Sequence, residues 1–477
     1  MKKNYLSINQ SINQSINNRS LGKKIFPILF ITLLLIISSC ILISCENPWM
    51  RELIEELEKK RDRDRERKNN EDNKEQVKVF TSVEDLSSWL LVQSNGIQTS
   101  DPVKFALKIP FGTMPDFNWY ALLDTIDAAG KYVDIDLSGC SMSGTEFNPD
   151  HSVATGKNKI VSLVLPDNAL SIIGSVGGGD FPFKNFDTLA KVSGLKITTI
   201  GFAAFINCPA LTSVNFPSVT TIDAFAFQNC PLLKIVSFSV VTAIGDQVFQ
   251  LCTALKSVSF PLLATISGNS FGDCTSLTDV YIPAATLIEL YAFNGCTALQ
   301  SVSFPLVATI ESNAFSACTT LKSISLPVAA TIEYSAFDGC LSLQSVNLPK
   351  ATYIGRYAFR GCIALRTVDI PMIINICDTS GTLPLRRGVF DGTGPGNLTV
   401  TVGQTVPTTG ISLFNNINEP KTVTVRIPSD SAVAYGAVPT DTTTPNWGNA
   451  FRGMGWDGAT YLTGTVNGNI TLVYQYY

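Results

Sequence analysis

Residues 292–318 read AFNGCTALQSVSFPLVATIESNAFSAC and contain one full copy of a 22-residue unit together with the start of the next copy. The unit recurs in one register along the middle of the chain, and a cysteine marks each copy: Cys208, Cys230, Cys252, Cys274, Cys296, Cys318, Cys340 and Cys362. A phenylalanine precedes each cysteine by three residues, and a leucine follows it by three. A fixed period of this length is typical of a solenoid in which each repeat forms one coil. The repeat therefore predicts the architecture and favours a function of presenting a surface.

Each unit predicts one short β-strand with a single buried face. In the quoted copy, Val302 and Phe304 alternate with Ser301 and Ser303, which is the period of two expected of such a strand. Pro305 follows and ends the strand, because proline has no amide hydrogen for a sheet ladder. A second apolar anchor, an isoleucine, occurs later in every copy. These few inward positions cannot form a core alone, so stacking of the coils is expected to turn each position into a column of like side chains.

The L-x-x-V-x-F-P strand, the second isoleucine and the A-F-x-x-C turn resemble the BspA-like leucine-rich repeat family of bacterial surface proteins. The resemblance covers residues 158–395. It implies a leucine-rich repeat solenoid of parallel β-sheet coils with short turns or helical pieces, and an adhesin-like protein at the cell surface. The last copy departs from the pattern, because an insertion separates Ile376 from Phe390.

The N-terminal residues 1–45 are interpreted as a lipoprotein signal peptide. Two lysines precede the apolar run 25–43, and Ser44-Cys45 follows it. This arrangement resembles the bacterial lipoprotein signal, in which cleavage leaves a cysteine whose thiol receives lipid. Cys45 is therefore the predicted lipid attachment residue, and Cys40 is a second candidate. An uncleaved membrane anchor is the alternative, because the apolar run is long enough to span a bilayer.

Residues 46–77 are predicted to form a charged tether, since most of the stretch 51–75 is charged and the two signs nearly cancel. The prediction is thus an exported protein that is lipid-anchored at the outer membrane or cell surface.

The segments on either side of the repeats are predicted to cap the solenoid. Residues 78–157 are expected to form a small α/β cap, in which Thr81 and Glu84 have capping-box spacing and Asp116 begins a second helix that ends near Gly130. Residues 396–477 are expected to form a β-rich segment, with strands at 398–402, 422–427 and 469–476. Trp447 and Trp456 lie between these strands and are interpreted as the core of a C-terminal β cap, with a sugar or peptide site as the alternative.

The composition gives little support to an enzyme, a metalloprotein or a nucleic-acid-binding protein. The net charge is −4 and only 16% of residues are charged, so no basic domain indicates a nucleic-acid partner. His151 is the only histidine and lies outside the repeats, which disfavours a catalytic triad. The sequence predicts no enzyme, no cofactor and no metal site.

The repeat cysteines allow disulfides or metal ligation as alternatives. However, stacked side chains point in parallel rather than toward one another, and no C-x-x-C motif accompanies them. The cysteines are therefore interpreted as small buried residues.

The outward strand positions form a flat face that is rich in hydroxyl groups and poor in charge. Tyr281 is the one aromatic residue in these two columns, which otherwise contain mainly serine, asparagine and aspartate. We predict that Asp279, Tyr281, Ser301 and Ser303 form a binding surface for an extracellular protein or glycan. The alternative is a structural or self-associating surface lipoprotein whose strand face has no dedicated ligand.

Metabolic labelling with a fatty acid tests the predicted anchor at Cys45. The wild-type protein should incorporate the label and Cys45→Ala should not, because the thiol is the proposed attachment atom. Equal labelling of the two proteins would show that the anchor is elsewhere or absent.

Overall fold

The computed structural model describes residues 77–149, 155–174, 181–373, 375–376, 389–390, 392–393, 397–402, 421–427, 463–466 and 470–476. These residues belong to the second of two units, 77–477. The predicted signal peptide, Cys45, nearly all of the tether, His151, Trp447 and Trp456 lie outside the described residues. Within the described ranges, no helix combines the length and the apolar character needed to cross a membrane.

The N-terminal part alternates short strands with two helices. Its elements are β1 (Lys78–Phe80), α1 (Val83–Leu91), β2 (Val103–Leu107), β3 (Pro110–Phe111), α2 (Phe117–Ala129), β4 (Val133–Asp136), β5 (Ser141–Met142), β6 (Glu146–Phe147), a 3-10 helix (Lys157–Lys159) and β7 (Ile160–Val164). Leu86 and Leu90 of α1 and Leu122 and Ile126 of α2 are fully buried. The helices thus supply the apolar layer of this part.

The caps of the two helices test the sequence prediction directly. The N-cap of α1 is Ser82, whose hydroxyl accepts a hydrogen bond of 3.1 Å from the Asp85 amide. The predicted capping box at Thr81 and Glu84 is therefore wrong by one residue. For α2 the prediction is confirmed, because the Asp116 carboxylate accepts from the Trp119 amide. Gly130 ends α2 in the left-handed conformation, with φ 62°.

The N-terminal strands continue the sheet of the solenoid. The six-stranded sheet has the order β1-β2-β4-β7-β9-β11, in which β9 is Lys191–Ser193 and β11 is Ser213–Asn215. It is parallel throughout. Trp119 of α2 packs against Phe147, with ring centroids 5.8 Å apart. The Phe147 ring stacks in turn on Phe183, and the Phe183 ring stacks on Phe205. An aromatic side chain of the helical layer therefore lies at the start of the phenylalanine column. The boundary near residue 157 stays a prediction, because the sheet crosses it.

Each coil of the solenoid contains two short strands on different sides. The strands of the first side are β9 (Lys191–Ser193), β11 (Ser213–Asn215), β13 (Ile235–Ser237), β15 (Ser257–Ser259), β17 (Asp279–Tyr281), β19 (Ser301–Ser303), β21 (Ser323–Ser325), β23 (Ser345–Asn347) and β25 (Thr367–Ile370). Those of the second side are β8 (Ser171–Ile172), β10 (Thr199–Ile200), β12 (Thr221–Ile222), β14 (Ala243–Ile244), β16 (Thr265–Ile266), β18 (Leu287–Ile288), β20 (Thr309–Ile310), β22 (Thr331–Ile332), β24 (Tyr353–Ile354) and β26 (Asn375–Ile376). We call the surface formed by the outward residues of the first set the strand face.

The predicted phenylalanine column is confirmed. Successive rings from Phe205 to Phe390 stack with centroids 5.2 to 5.7 Å apart and interplanar angles of 12° or less. Every ring in the column is fully buried. Phe390 stacks on Phe359 at 5.6 Å, so the column continues across the insertion that follows Ile376.

The turn that contains each phenylalanine forms its own hydrogen-bond ladder. At every step from Phe205 to Phe359, the phenylalanine amide donates to a carbonyl of the next coil at 2.7 to 2.9 Å. Two residues per turn adopt the left-handed conformation, for example Tyr291 (φ 58°) and Gly295 (φ 72°). Most coils use non-glycine residues there, although this conformation costs an L-residue about 1–2 kcal/mol. The hydrogen bonds to the neighbouring coils therefore hold the turn in this conformation and offset its cost.

The cysteines complete the bonding of this turn. From Cys230 to Cys362, each thiol donates to the carbonyl of the phenylalanine in the preceding coil, with Sγ to oxygen distances of 3.1 to 3.2 Å. The described cysteines are buried free thiols. Burial raises the pKa of the Cys252 and Cys318 thiols to about 12. The cysteine is therefore a hydrogen-bond donor as well as the small buried residue that the sequence predicts.

The C-terminal strands extend the sheet of the solenoid. β27 (Leu398–Val402) pairs in parallel with β25, followed by β28 (Lys421–Ile427) and then β30 (Ile470–Tyr476). β29 (Thr463–Val466) pairs antiparallel with β30 and forms the edge. The three strands predicted from the sequence are present, and β29 is an addition that the sequence analysis did not identify.

Truncation of one ring tests the column. Phe293→Ala should lower the free energy of unfolding by about 3–5 kcal/mol, because it removes a buried ring that stacks on both neighbours. Ser323→Ala on the strand face is the control and should change it by less than about 0.5 kcal/mol. Urea unfolding followed by circular dichroism measures both, and equal midpoints for the two variants would contradict the column.

Alkylation tests the state of the repeat thiols. In the native protein at pH 8, iodoacetamide should label few of the eight, because burial keeps them neutral. After denaturation without reductant it should label nearly all of them, as assigned by peptide mass spectrometry. Protection that persists in denaturant until reductant is added would instead mean disulfides.

The same raised pKa gives a pH dependence of stability. The contribution of each buried neutral thiol is fully present below about pH 8.5, where the unfolded cysteine is also neutral. It should be lost progressively as the pH rises from there toward the folded pKa of about 12 for Cys252 and Cys318. Urea midpoints measured between pH 8 and pH 10 should therefore fall less steeply for Cys252→Ala than for the wild type.

Candidate functional site

The four predicted binding residues lie around one depression on the strand face. Asp279 and Tyr281 are on β17, and Ser301 and Ser303 are on β19 in the next coil. The depression has a volume of about 470 Å³. The other lining residues come from β15, β17, β19 and the residue before β17: Ser257, Val258, Ser259, Thr278, Val280 and Val302. The structure thus brings the predicted residues together, and their role in binding stays a prediction.

The depression lies at a gap in the strand-face sheet. β15 pairs with β17, and β19 pairs with β21, but no ladder joins β17 to β19, although both strands are fully described. Val280 is half-buried, whereas the equivalent Val258 and Val302 are 1% and 8% exposed. The gap therefore exposes part of a side chain that the two neighbouring coils keep inside.

The gap is confined to the strand face. On the second side of the same two coils, β18 pairs with β20 in register. In the turn, the Phe293 amide donates to the Ala314 carbonyl at 2.7 Å, and the Phe293 and Phe315 rings stack at 5.2 Å. The spacing of the two coils is thus held on the other sides while the strand face is open.

A similar gap occurs elsewhere on the strand face but carries different side chains. It lies between β11 and β13, and there Val214 is half-buried in the same way as Val280. The outward residue beside it is Ile235, which is 62% exposed. That gap offers an aliphatic surface, whereas the one at β17 offers an aromatic ring, hydroxyl groups and a carboxylate.

Asp279 is the only charged residue in the lining of the depression. Its Oδ2 lies 2.7 Å from the Thr278 hydroxyl, which also lies 3.2 Å from the Lys256 carbonyl. A hydroxyl proton can serve only one of these acceptors at a time. Tyr281 is 60% exposed. Within the described residues, the hydroxyls of the four lining serines form no hydrogen bond, so they are available to a ligand.

Two acidic residues of the repeat turns, Glu289 and Glu311, have a structural role that the sequence did not predict. Glu289 Oε2 accepts from the Gly268 amide, and Glu311 Oε2 accepts from the Leu290 amide, both at 3.0 Å. Burial raises the pKa of Glu289, while the hydrogen bond from Gly268 acts in the opposite direction. These carboxylates therefore cap amides of the preceding coil.

In the described part of the chain, no group of three or more histidine, cysteine or acidic residues is arranged to hold a metal ion.

Solved structures of leucine-rich repeat proteins resemble this chain at low identity. A leucine-rich repeat protein from Bacteroides ovatus is 19% identical, with 54% of this chain and 86% of that chain covered and a TM-score of 0.25. A leucine-rich cell surface protein from Faecalibacterium prausnitzii is 21% identical, with 46% and 88% covered and a TM-score of 0.27. The leucine-rich repeat protein of T. pallidum is 23% identical, with 38% and 78% covered and a TM-score of 0.26. No curated protein matches the chain.

The repeat region matches a family model. The BspA type leucine-rich repeat region is found in six copies, over residues 179–296 and 286–380. The match covers the coils from Phe183 to Ile376, which hold most of the phenylalanine column and the turn ladder. Residues 179–380 of this chain are therefore similar to a leucine-rich repeat region of the BspA type.

Proposed function

We propose that this chain is an exported, lipid-anchored surface protein that binds an extracellular protein or glycan through the depression at β17 and β19. The observation that carries the proposal is the gap between these strands, which opens a depression of about 470 Å³ beside an exposed tyrosine. A ligand there would meet a surface that is already ordered, so little conformational entropy would be lost on binding.

The repeat type supports an interaction role rather than catalysis. BspA-type repeats imply a role at a surface and in protein interactions, and leucine-rich repeats are generally scaffolds that are not enzymes. The adhesin-like activity, the partner and the anchor at Cys45 are part of the proposal. The support for export and lipidation comes from the apolar run 25–43 and the Ser44-Cys45 that follows it.

A second candidate function is self-association without a dedicated ligand. A row of aliphatic residues follows the strands of the first side and remains 37% to 52% exposed: Val240, Leu262, Leu306, Val328 and Met372. Ala284 and Lys350 interrupt this row at the same repeat position. Exposed apolar patches are common at contacts between proteins. Sedimentation velocity of the purified protein distinguishes the two functions, because self-association predicts a concentration-dependent oligomer.

Capture of partners from serum and extracellular matrix tests the proposed site. Tyr281→Ala should weaken binding of the captured partner by about thirtyfold, since tyrosine hot spots contribute about 2 kcal/mol or more. The pair Ser301→Arg and Ser303→Arg should abolish binding by filling the depression. Affinities are measured by surface plasmon resonance.

Ser345→Arg is the matched control, because Ser345 is exposed on the same face two coils away. Circular dichroism shows whether each variant is folded. If every folded variant binds as the wild type does, the strand face is not the site, and the segment around Trp447 and Trp456 becomes the next region to test.

A further inference from the structure

We infer that the depression at β17 and β19 takes a neutral sugar ring that stacks on Tyr281. This inference rests on the proposed function and names the ligand class of its site. Three observations support it: the charge of the lining, the hydrogen-bonding character of its hydroxyls, and the exposure of one aromatic ring beside half-buried Val280.

The charge of the lining disfavours an anionic ligand. Asp279 is the one charged residue among those that line the depression, and no lysine, arginine or histidine is among them. A sulfated, phosphorylated or sialylated group would therefore meet a carboxylate with no compensating cation. A neutral ligand avoids this repulsion.

The hydroxyl groups favour a sugar over a basic side chain. Ser257, Ser259, Ser301 and Ser303 each carry a hydroxyl that both donates and accepts. Lysine and arginine side chains only donate, so they would leave the serine protons without acceptors. Sugar hydroxyls both donate and accept, and they match the serines in both directions.

Tyr281 supplies the apolar contact that a sugar ring needs. The ring is 60% exposed and, among the described aromatic residues, contacts no other ring. Half-buried Val280 forms part of the floor beside it. One face of a pyranose carries C–H groups while its rim carries hydroxyls. Placing the C–H face on the tyrosine removes apolar area from water and leaves the rim facing the serines and Asp279.

Asp279 is positioned to accept from a sugar hydroxyl. The Thr278 hydroxyl is 2.7 Å from Oδ2, which restrains the carboxylate without using Oδ1. A hydrogen bond to an ionised acceptor is about twice as strong as one between neutral groups. Asp279 would therefore orient the ring that Tyr281 holds.

The architecture disfavours a peptide that adds a strand inside the gap. Such a strand would need about 4.8 Å of extra space between β17 and β19. The β18 and β20 ladder and the Phe293–Phe315 ring pair hold the two coils together on their other sides. The ligand must lie on the face, where a volume of about 470 Å³ accommodates a small saccharide.

Glycan binding by the full chain tests the inference. The probes are neutral oligosaccharides of glucose, galactose, mannose and N-acetylhexosamine, their sialylated and sulfated counterparts, and a lysine-rich peptide. The wild type should bind at least one neutral probe and prefer it to the anionic and cationic ones. Tyr281→Ala should lose at least tenfold in affinity, and Tyr281→Phe should retain most of it. Asp279→Asn should lose severalfold, and Ser345→Ala, outside the depression, should bind as the wild type does.

A second measurement separates this inference from the proposed function. The partner captured from serum or matrix is deglycosylated and tested again. Loss of Tyr281-dependent binding on deglycosylation supports the sugar. Binding that depends on Tyr281 but survives deglycosylation overturns the sugar and leaves the proposed site standing. Preference for the lysine-rich peptide or for anionic probes also overturns it, and binding that is indifferent to Tyr281 overturns both proposals.

Discussion

The hydrogen bonds between successive turns hold the solenoid together, because they join the backbone of each phenylalanine to the next coil. From Phe205 to Phe337, the amide of this residue donates to a carbonyl of the next coil and its carbonyl accepts from the next cysteine thiol. Both groups are buried under stacked rings, where an unpaired polar group would cost about 1–3 kcal/mol. The phenylalanine and the cysteine of each repeat thus act together. The rings form an apolar column, and the backbone and thiol groups form hydrogen bonds between coils.

Because the turns hold the coils together, strand pairing on the strand face can be absent at single steps without separating the coils. The turn ladder is present at every step described, whereas the strand face opens at two steps and the second side opens at one, between β14 and β16. At that last step the Ser267 hydroxyl donates to the Ile244 carbonyl at 2.7 Å and links the two coils in place of a backbone amide. A scaffold with three lines of contact can lose one locally without changing its spacing. We place the proposed site at such a local opening.

Different elements flank the two ends of the solenoid. At the N-terminal end, α1 and α2 cover the first strands, and Trp119 belongs to the chain of rings that leads to Phe205. At the C-terminal end, the sheet continues through β27, β28 and β30, and the antiparallel β29 forms its edge. A repeat stack without such segments would expose an apolar end, which favours aggregation. The flanking segments and the stacking of the repeats thus meet the same need, which is to bury the apolar side chains of each coil.

The features that depend on local pattern were predictable from the sequence alone. The 22-residue period predicts the coils, the alternation predicts the outward position of Ser301 and Ser303, and Asp116 and Gly130 predict the ends of α2. The one-residue error at the cap of α1 has a local cause, since Thr81 and Ser82 are both capable N-caps and the entry of the chain decides between them.

The pairing of strands and the bonds between coils depend instead on contacts between residues that are distant in the sequence. β15 and β19 have the same sequence, Ser-Val-Ser, yet β15 pairs on both sides and β19 pairs only with β21. The left-handed turn conformation and the thiol hydrogen bonds also cannot be predicted from one copy of the repeat. The groups that bond to these turns lie in a neighbouring coil, 21 to 25 residues away. Pairing between coils depends on the spacing that all three sides impose together. For this reason the position of Tyr281 was readable from the sequence, while the opening beside it was not.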